Sequence, residues 1–170
     1  MERKGVITMG GNPMTLIGPE LKVGDKAPAF ALHDMGLAPV TLGDFSGKVK
    51  IISVTPSIDT PVCDAQAHQF NEDAAALGSG VVILNVSMDL PFALGRYCAA
   101  EGIDSVKTLS DYYDASFGSG WGVLIKELRL LCRAVFVLDD HDVIRYAQIV
   151  PEVTHAVDFD AALKAAKKLL

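Results

Sequence analysis

The sequence predicts an α/β fold in which a mixed sheet is flanked by helices. Three observations carry this. Residues 49–54 and 81–86 are short, β-branched, apolar runs of the kind buried on both faces in the middle of a sheet. Between them Cys63, Ala67, Phe70, Ala74 and Leu77 recur at helical spacing, which makes a strand–helix–strand unit. Later, residues 130–138 and 143–149 flank Asp139-Asp140-His141-Asp142, a turn composition that predicts a hairpin.

The remaining elements follow in order. Residues 6–9 and 14–17 flank Gly10-Gly11-Asn12-Pro13, which predicts an N-terminal hairpin, followed by a loop around residues 22–28. Pro61 suits the first position of the helix that carries Cys63, and Gly78-Ser79-Gly80 ends it. A second helix opens at Pro91, carries Cys98 and stops near Gly102. A shorter strand is expected near 106–109 and a helical piece over 111–117, before residues 130–138 run as one strand. The last helix starts near Asp158 and ends in Lys164, Lys167 and Lys168, which complements the helix dipole at both ends.

The 170 residues fit one domain spanning 1–170, and no repeat or long linker divides them. Half the residues are hydrophobic and 21% are charged, which argues against disorder. A net charge of −6 gives no reason to expect nucleic-acid binding. No apolar run approaches the roughly 20 residues needed to span a bilayer, and the N-terminus lacks the pattern of a signal peptide, so a cytoplasmic protein without a membrane partner is expected. Three cysteines, none close to another in sequence, do not form a secreted disulfide framework. They offer no C-x-x-C pair, and the four histidines are scattered, so neither zinc nor a C-x-x-C oxidoreductase is expected.

The segment that carries chemistry runs from Val54 to Gln66. Thr60 fits the helix N-cap, so Cys63 falls in the first turn among unpaired N–H groups and at the positive end of the dipole. That position favours thiolate over thiol, and the thiolate is the nucleophile. The same residue shares a face with Ala67, Phe70 and Leu77, where a cysteine can equally fill a core. Thr60 has two readings as well, an ordinary cap or a hydroxyl that holds a substrate oxygen. Arg133 stands inside the otherwise apolar run 130–138. A guanidinium there needs an anion, either a thiolate or a carboxylate, or a route to solvent. Cys132 must point to the opposite face from Arg133 and reads as a core residue. Cys98, one turn after Leu94, reads as core or as a second reactive thiol.

Pro56-Ser-Ile-Asp-Thr60-Pro-Val-Cys63 resembles the P-x-x-x-T-x-x-C active-site loop of the peroxiredoxins. The resemblance extends over nearly the whole chain and is closest to the bacterial, atypical two-cysteine thiol peroxidases. It takes in the hairpin around Val6-Ile-Thr-Met-Gly-Gly-Asn-Pro, then Ser87-Met-Asp-Leu-Pro-Phe-Ala93 and Cys98-Ala-Ala-Glu-Gly102. It continues through Arg133-Ala-Val-Phe-Val-Leu-Asp139 and Glu152-Val-Thr154. It implies a thioredoxin-like fold with an N-terminal hairpin and a peroxidase that needs no cofactor. Cys63 is then the peroxidatic cysteine, Thr60 and Arg133 orient the peroxide, Pro56 shields the pocket, and Cys98 is the resolving cysteine of the same subunit. A hydroperoxide substrate, thioredoxin as reductant and a homodimer are implied with it. The chain departs from the family at Ala156-Val157, where Glu-Pro is common, and at Phe159, where Tyr is common. Two rival functions stand beside the enzyme. One is a redox sensor that uses the same cysteine pair without turnover; the other is a thioredoxin-like interaction module with inert core cysteines. If the pair acts, both cysteines start in helices that must partly unwind before they can bond.

Overall fold

The structure is a computed structural model that describes residues 1–170. The N-terminal hairpin forms from β1 (Glu2–Met9) and β2 (Asn12–Ile17), with Gly10 and Gly11 at its tip. After it come β3 (Ala31–His33), β4 (Pro39–Thr41) and a 3-10 turn at Leu42–Phe45. The strand–helix–strand core is β5 (Val49–Val54), α1 (Pro61–Leu77) and β6 (Val81–Ser87). It continues with α2 (Pro91–Glu101), β7 (Lys107–Ser110) and α3 (Ser116–Gly120). The C-terminal part holds β8 (Leu124–Ile125), β9 (Leu130–Leu131), β10 (Ala134–Leu138), β11 (Ile144–Ile149) and α4 (Phe159–Lys167).

Seven strands form the central sheet in the order β11-β10-β5-β6-β7-β3-β4. The pairs β5–β6 and β6–β7 are parallel and the others antiparallel, so the sheet is mixed as expected. Strand alternation sorts its side chains into two cores. On one face Val49, Ile51, Val135 and Val137 pack under α1, α2 and α4, against Phe70, Leu77, Cys98 and Ala162. On the other, Ile52, Val54, Phe136 and Leu138 meet Phe117 and Trp121 together with Ile7 and Leu16 of the hairpin. Every residue of β5 is buried, including Lys50, whose ammonium is paired with Asp142.

Two expectations need correction. The helical piece lies at Ser116–Gly120 and not over 111–117, because the Asp111 carboxylate accepts the N–H groups of Phe117 and Gly118 and so sits ahead of the helix. The run 130–138 is two strands rather than one. Leu130 and Leu131 pair with β8 in a four-stranded sheet of order β1-β2-β8-β9, whereas Ala134–Leu138 pairs with β5 and β11. Cys132 and Arg133 form the crossing. The Cys132 N–H donates to the Val123 carbonyl, and the Arg133 carbonyl accepts from the Val150 N–H. Apolar character continues through the crossing because both sheets bury it, so hydrophobicity does not mark the break. The strands β3, β4 and β8 are two or three residues long, too short to leave a period in the sequence.

The hairpin is held to the rest of the fold at its base by a close backbone approach. A Cβ on Gly122, whose φ is +68°, would lie 1.9 Å from the Pro19 carbonyl oxygen. The Arg3 side chain closes the same junction by donating to the carbonyls of Gly18 and Gly122. Gly122→Ala combines a left-handed conformation with a backbone clash, and a loss of about 2–4 kcal/mol is expected in urea unfolding. Parental stability in that variant would contradict the close approach.

Candidate active site

The loop between β5 and α1 is built by local chemistry. Pro56 is buried at its start. The Asp89 carboxylate gathers the next residues, accepting from the Ser57 hydroxyl at 2.7 Å and the Ile58 N–H at 2.9 Å. It also accepts from the Ser87 hydroxyl at 2.7 Å, so the β5 and β6 loops are tied together. Thr60 caps α1 as expected, its hydroxyl oxygen accepting the Cys63 N–H at 3.3 Å. Cys63 therefore stands in the first turn and is 1% exposed.

Arg133 reaches this sulfur. Its Nη2 donates to Cys63 Sγ at 3.2 Å, Nη1 to Gln66 Oε1 at 2.9 Å, and Nε to the Val153 carbonyl at 2.7 Å. The guanidinium is almost fully buried, and no carboxylate bonds it. Gln66 extends the arrangement into the sheet, its Nε2 donating to Ser53 Oγ at 2.6 Å, which donates in turn to Asn85 Oδ1 at 3.1 Å. One cation thus donates to the sulfur and is itself anchored by a chain of amide and hydroxyl groups that runs into the sheet.

Curated relatives and solved structures bear on the chain as a whole. The chain is 57% identical to a thiol peroxidase of Halalkalibacterium halodurans over 164 residues, covering 96% of this chain and 98% of that one. It is 54% identical to the thiol peroxidase of Bacillus subtilis with the same coverage. The redoxin family matches residues 22–165. This chain belongs to the redoxin family, among its thiol peroxidases. A peroxiredoxin-like protein from Aquifex aeolicus shares its structure with a TM-score of 0.91 and 38% identity over 98% of both chains. A thiol peroxidase from Chromobacterium violaceum, 22% identical and covering 95% of both chains, has the same fold with a TM-score of 0.85. The thioredoxin-like expectation holds.

Within this redoxin the structure brings Cys63, Thr60 and Arg133 together, with Pro56 in the adjoining loop. Cys98 sits apart from that cluster on α2, buried against Phe70, Ile103 and Val106, with its sulfur 2.9 Å from the Thr108 hydroxyl. All three cysteines are free thiols. The two helices that carry Cys63 and Cys98 meet along a polar seam that includes Asp64 and Tyr97, the chain neighbours of the two cysteines. Tyr97 donates to Asp64 at 2.5 Å, and His68 lies 3.4 Å from Asp64 and 3.3 Å from Glu101. Lower down, Asn71 accepts the N–H groups of Asp104 and Ser105. Burial, then the bond to Asp64, holds the Tyr97 phenol well above its usual range, so it remains a donor.

Three contributors were missed in the sequence. Gln66 had a signal: three residues after Cys63, it lies on the same helix face, where a polar residue in an apolar stripe asks for a partner. Asp89 lies within the segment Ser87–Ala93, but its bonds to Ser57 and Ile58 are tertiary. The Val153 carbonyl has none, since every residue carries a carbonyl.

Cys132 packs on the opposite face, among the residues of the hairpin-side core. Burial pushes its thiol up to about 12, so it stays neutral at any pH near 8. Iodoacetamide at pH 8 is expected to leave Cys132 unmodified in the folded protein and to label it only in denaturant, read by peptide mass. Labelling in the folded state at the rate of an exposed thiol would contradict its placement.

Proposed function

We propose that this thiol peroxidase reduces hydroperoxides through Cys63, with Cys98 as resolving cysteine and thioredoxin as reductant. The observation that carries the reading is the 3.2 Å hydrogen bond from Arg133 to the Cys63 sulfur. The Cys63 thiolate attacks the terminal oxygen of the hydroperoxide, forming an S–O bond as the O–O bond breaks. The departing alkoxide or hydroxide takes up a proton and leaves as alcohol or water. Charge moves from sulfur onto oxygen in this step, and Arg133, the Thr60 hydroxyl and the Val62 N–H, the first-turn amide not bonded to Thr60, are the donors available to meet it. Pro56 keeps water from the sulfur.

The sulfenic acid left on Cys63 condenses with the Cys98 thiol, releasing water and forming a disulfide. Exchange with the dithiol of thioredoxin restores both thiols and leaves thioredoxin oxidised. Because Cys63 and Cys98 begin in separate helices, the α1–α2 seam has to open for the second step. The outer contacts of the seam are half-exposed polar pairs, each worth little, which lowers the cost of opening it. A cytoplasmic setting and a homodimer complete the proposal, the homodimer resting on the family resemblance.

Cys63→Ser should abolish peroxide consumption in an assay coupled to thioredoxin, its reductase and NADPH. Cys98→Ser should give one turnover and a trapped sulfenic acid, then stop; full steady-state activity there would refute the pair. Arg133→Met should lower kcat/KM for peroxide by about 10²–10³-fold, as removal of a transition-state donor does. Tyr97→Phe, which unlatches the seam, should speed disulfide formation a few-fold in stopped-flow while leaving the first step unchanged; a slower second step would contradict the role given to the seam.

A further inference from the structure

Arg133 lies outside any strand, and its Nε is held by the Val153 carbonyl. That carbonyl belongs to the peptide group between Val153 and Thr154. A peptide group is planar, with its C=O and N–H pointing in opposite directions. The carbonyl end accepts from Arg133 at 2.7 Å, and the N–H end, on Thr154, donates to Glu152 Oε2 at 2.9 Å. One rigid group is thus held between a guanidinium and a carboxylate. Turning it breaks both bonds at once.

The carboxylate in turn is fixed by the tip of the N-terminal hairpin. Glu152 Oε1 accepts from the Thr8 hydroxyl at 2.9 Å and the Gly11 N–H at 2.8 Å. Oε2 accepts from the Gly10 N–H at 3.2 Å and from the Thr154 hydroxyl at 2.7 Å. Gly10 and Gly11 both have positive φ, which lets successive N–H groups converge on one anion. These bonds, led by those from the Thr154 and Gly11 backbone, hold the Glu152 carboxyl well below the usual range. It keeps its charge throughout the neutral region. Backbone bonds dock the same two segments, with the Val153 N–H donating to the Thr8 carbonyl and the Thr8 N–H to the Pro151 carbonyl.

We propose that Glu152 is a positioning residue for Arg133. Clamped by the hairpin tip, its carboxylate orients the Val153–Thr154 peptide so that the carbonyl holds the guanidinium against the Cys63 sulfur. The N-terminal hairpin is then part of the assembly of the reactive centre as well as part of the core. The inference rests on the role given to Arg133 above.

The test is Glu152→Gln, with Glu127→Gln as control. The Glu127 carboxylate also grips the hairpin, accepting the Thr15 N–H at 3.0 and 3.1 Å, but it is bonded to no group that bonds Arg133. Glu152→Gln should lower kcat/KM for peroxide about tenfold, the scale of one charge-assisted hydrogen bond. The pH profile of Cys63 alkylation should move to higher pH with the circular dichroism unchanged, and Glu127→Gln should move neither. A parental rate and a parental profile in Glu152→Gln would overturn the proposal. Should that variant not fold, Glu152→Asp decides. It keeps the charge but is too short to bridge Thr154 and the hairpin, so a smaller shift in the same direction is expected and parental values overturn the proposal. Activity surviving in Cys63→Ser would instead remove the functional reading beneath it. A normal Glu152→Gln beside inactive Cys63→Ser and weakened Arg133→Met removes only the role of Glu152.

Discussion

A guanidinium buried without a carboxylate is the constraint around which this fold is arranged. Burying a cation costs several kcal/mol unless its donors are met and its charge is opposed. Arg133 satisfies the first condition with three acceptors, of which the Gln66 amide and the Val153 carbonyl are neutral. The partner able to carry a negative charge is Cys63. In the function proposed above, that sulfur is the group that would oppose the cation's charge. The bland alternative for Cys63, a core filler, fits poorly with this. An apolar site would not enclose a cation, and Cys63 joins neither apolar cluster of the protein.

The architecture supplies the means. Residues 132 and 133 mark the crossing from the hairpin sheet to the central sheet, so neighbouring residues serve opposite sides of the molecule. Cys132 goes to the hairpin-side core and stays inert, while Arg133 turns under the start of α1. Beneath Cys63 the packing is stiff, because Gln66, Ser53 and Asn85 tie the helix to two parallel central strands. Toward α2 the outer contacts are half-exposed polar pairs, lying above the shared apolar core that holds Phe70 and Cys98. Such an arrangement suits a two-step reaction. In the proposed reaction the first step needs an organised sulfur, and the second needs that same helix start to let go.

Much of this was legible in the sequence because it is local. The helix starting at Pro61, its Thr60 cap and the first-turn place of Cys63 follow from short-range rules, and each is found as read. The β-branched runs gave the central strands, and the odd guanidinium in an apolar run drew attention to Arg133. What stayed hidden depends on contacts between distant segments. Hydrophobicity runs unbroken across the sheet crossing at Cys132 and Arg133, and β3, β4 and β8 are too short to show a period. The Val153 carbonyl and the Asp89 carboxylate act through bonds to residues far along the chain, and no composition rule points to them. Gln66 is the exception, since its helix position alone put it beside Cys63.

Whether the Arg133 guanidinium holds charge on the Cys63 sulfur can be read from thiolate absorbance. The absorbance near 240 nm that is lost in Cys63→Ser reports that sulfur, and it can be followed against pH in the parent and in Arg133→Met. Replacing Arg133 is expected to displace this signal to higher pH. Superimposable curves would mean that the guanidinium and the sulfur are neighbours without being coupled.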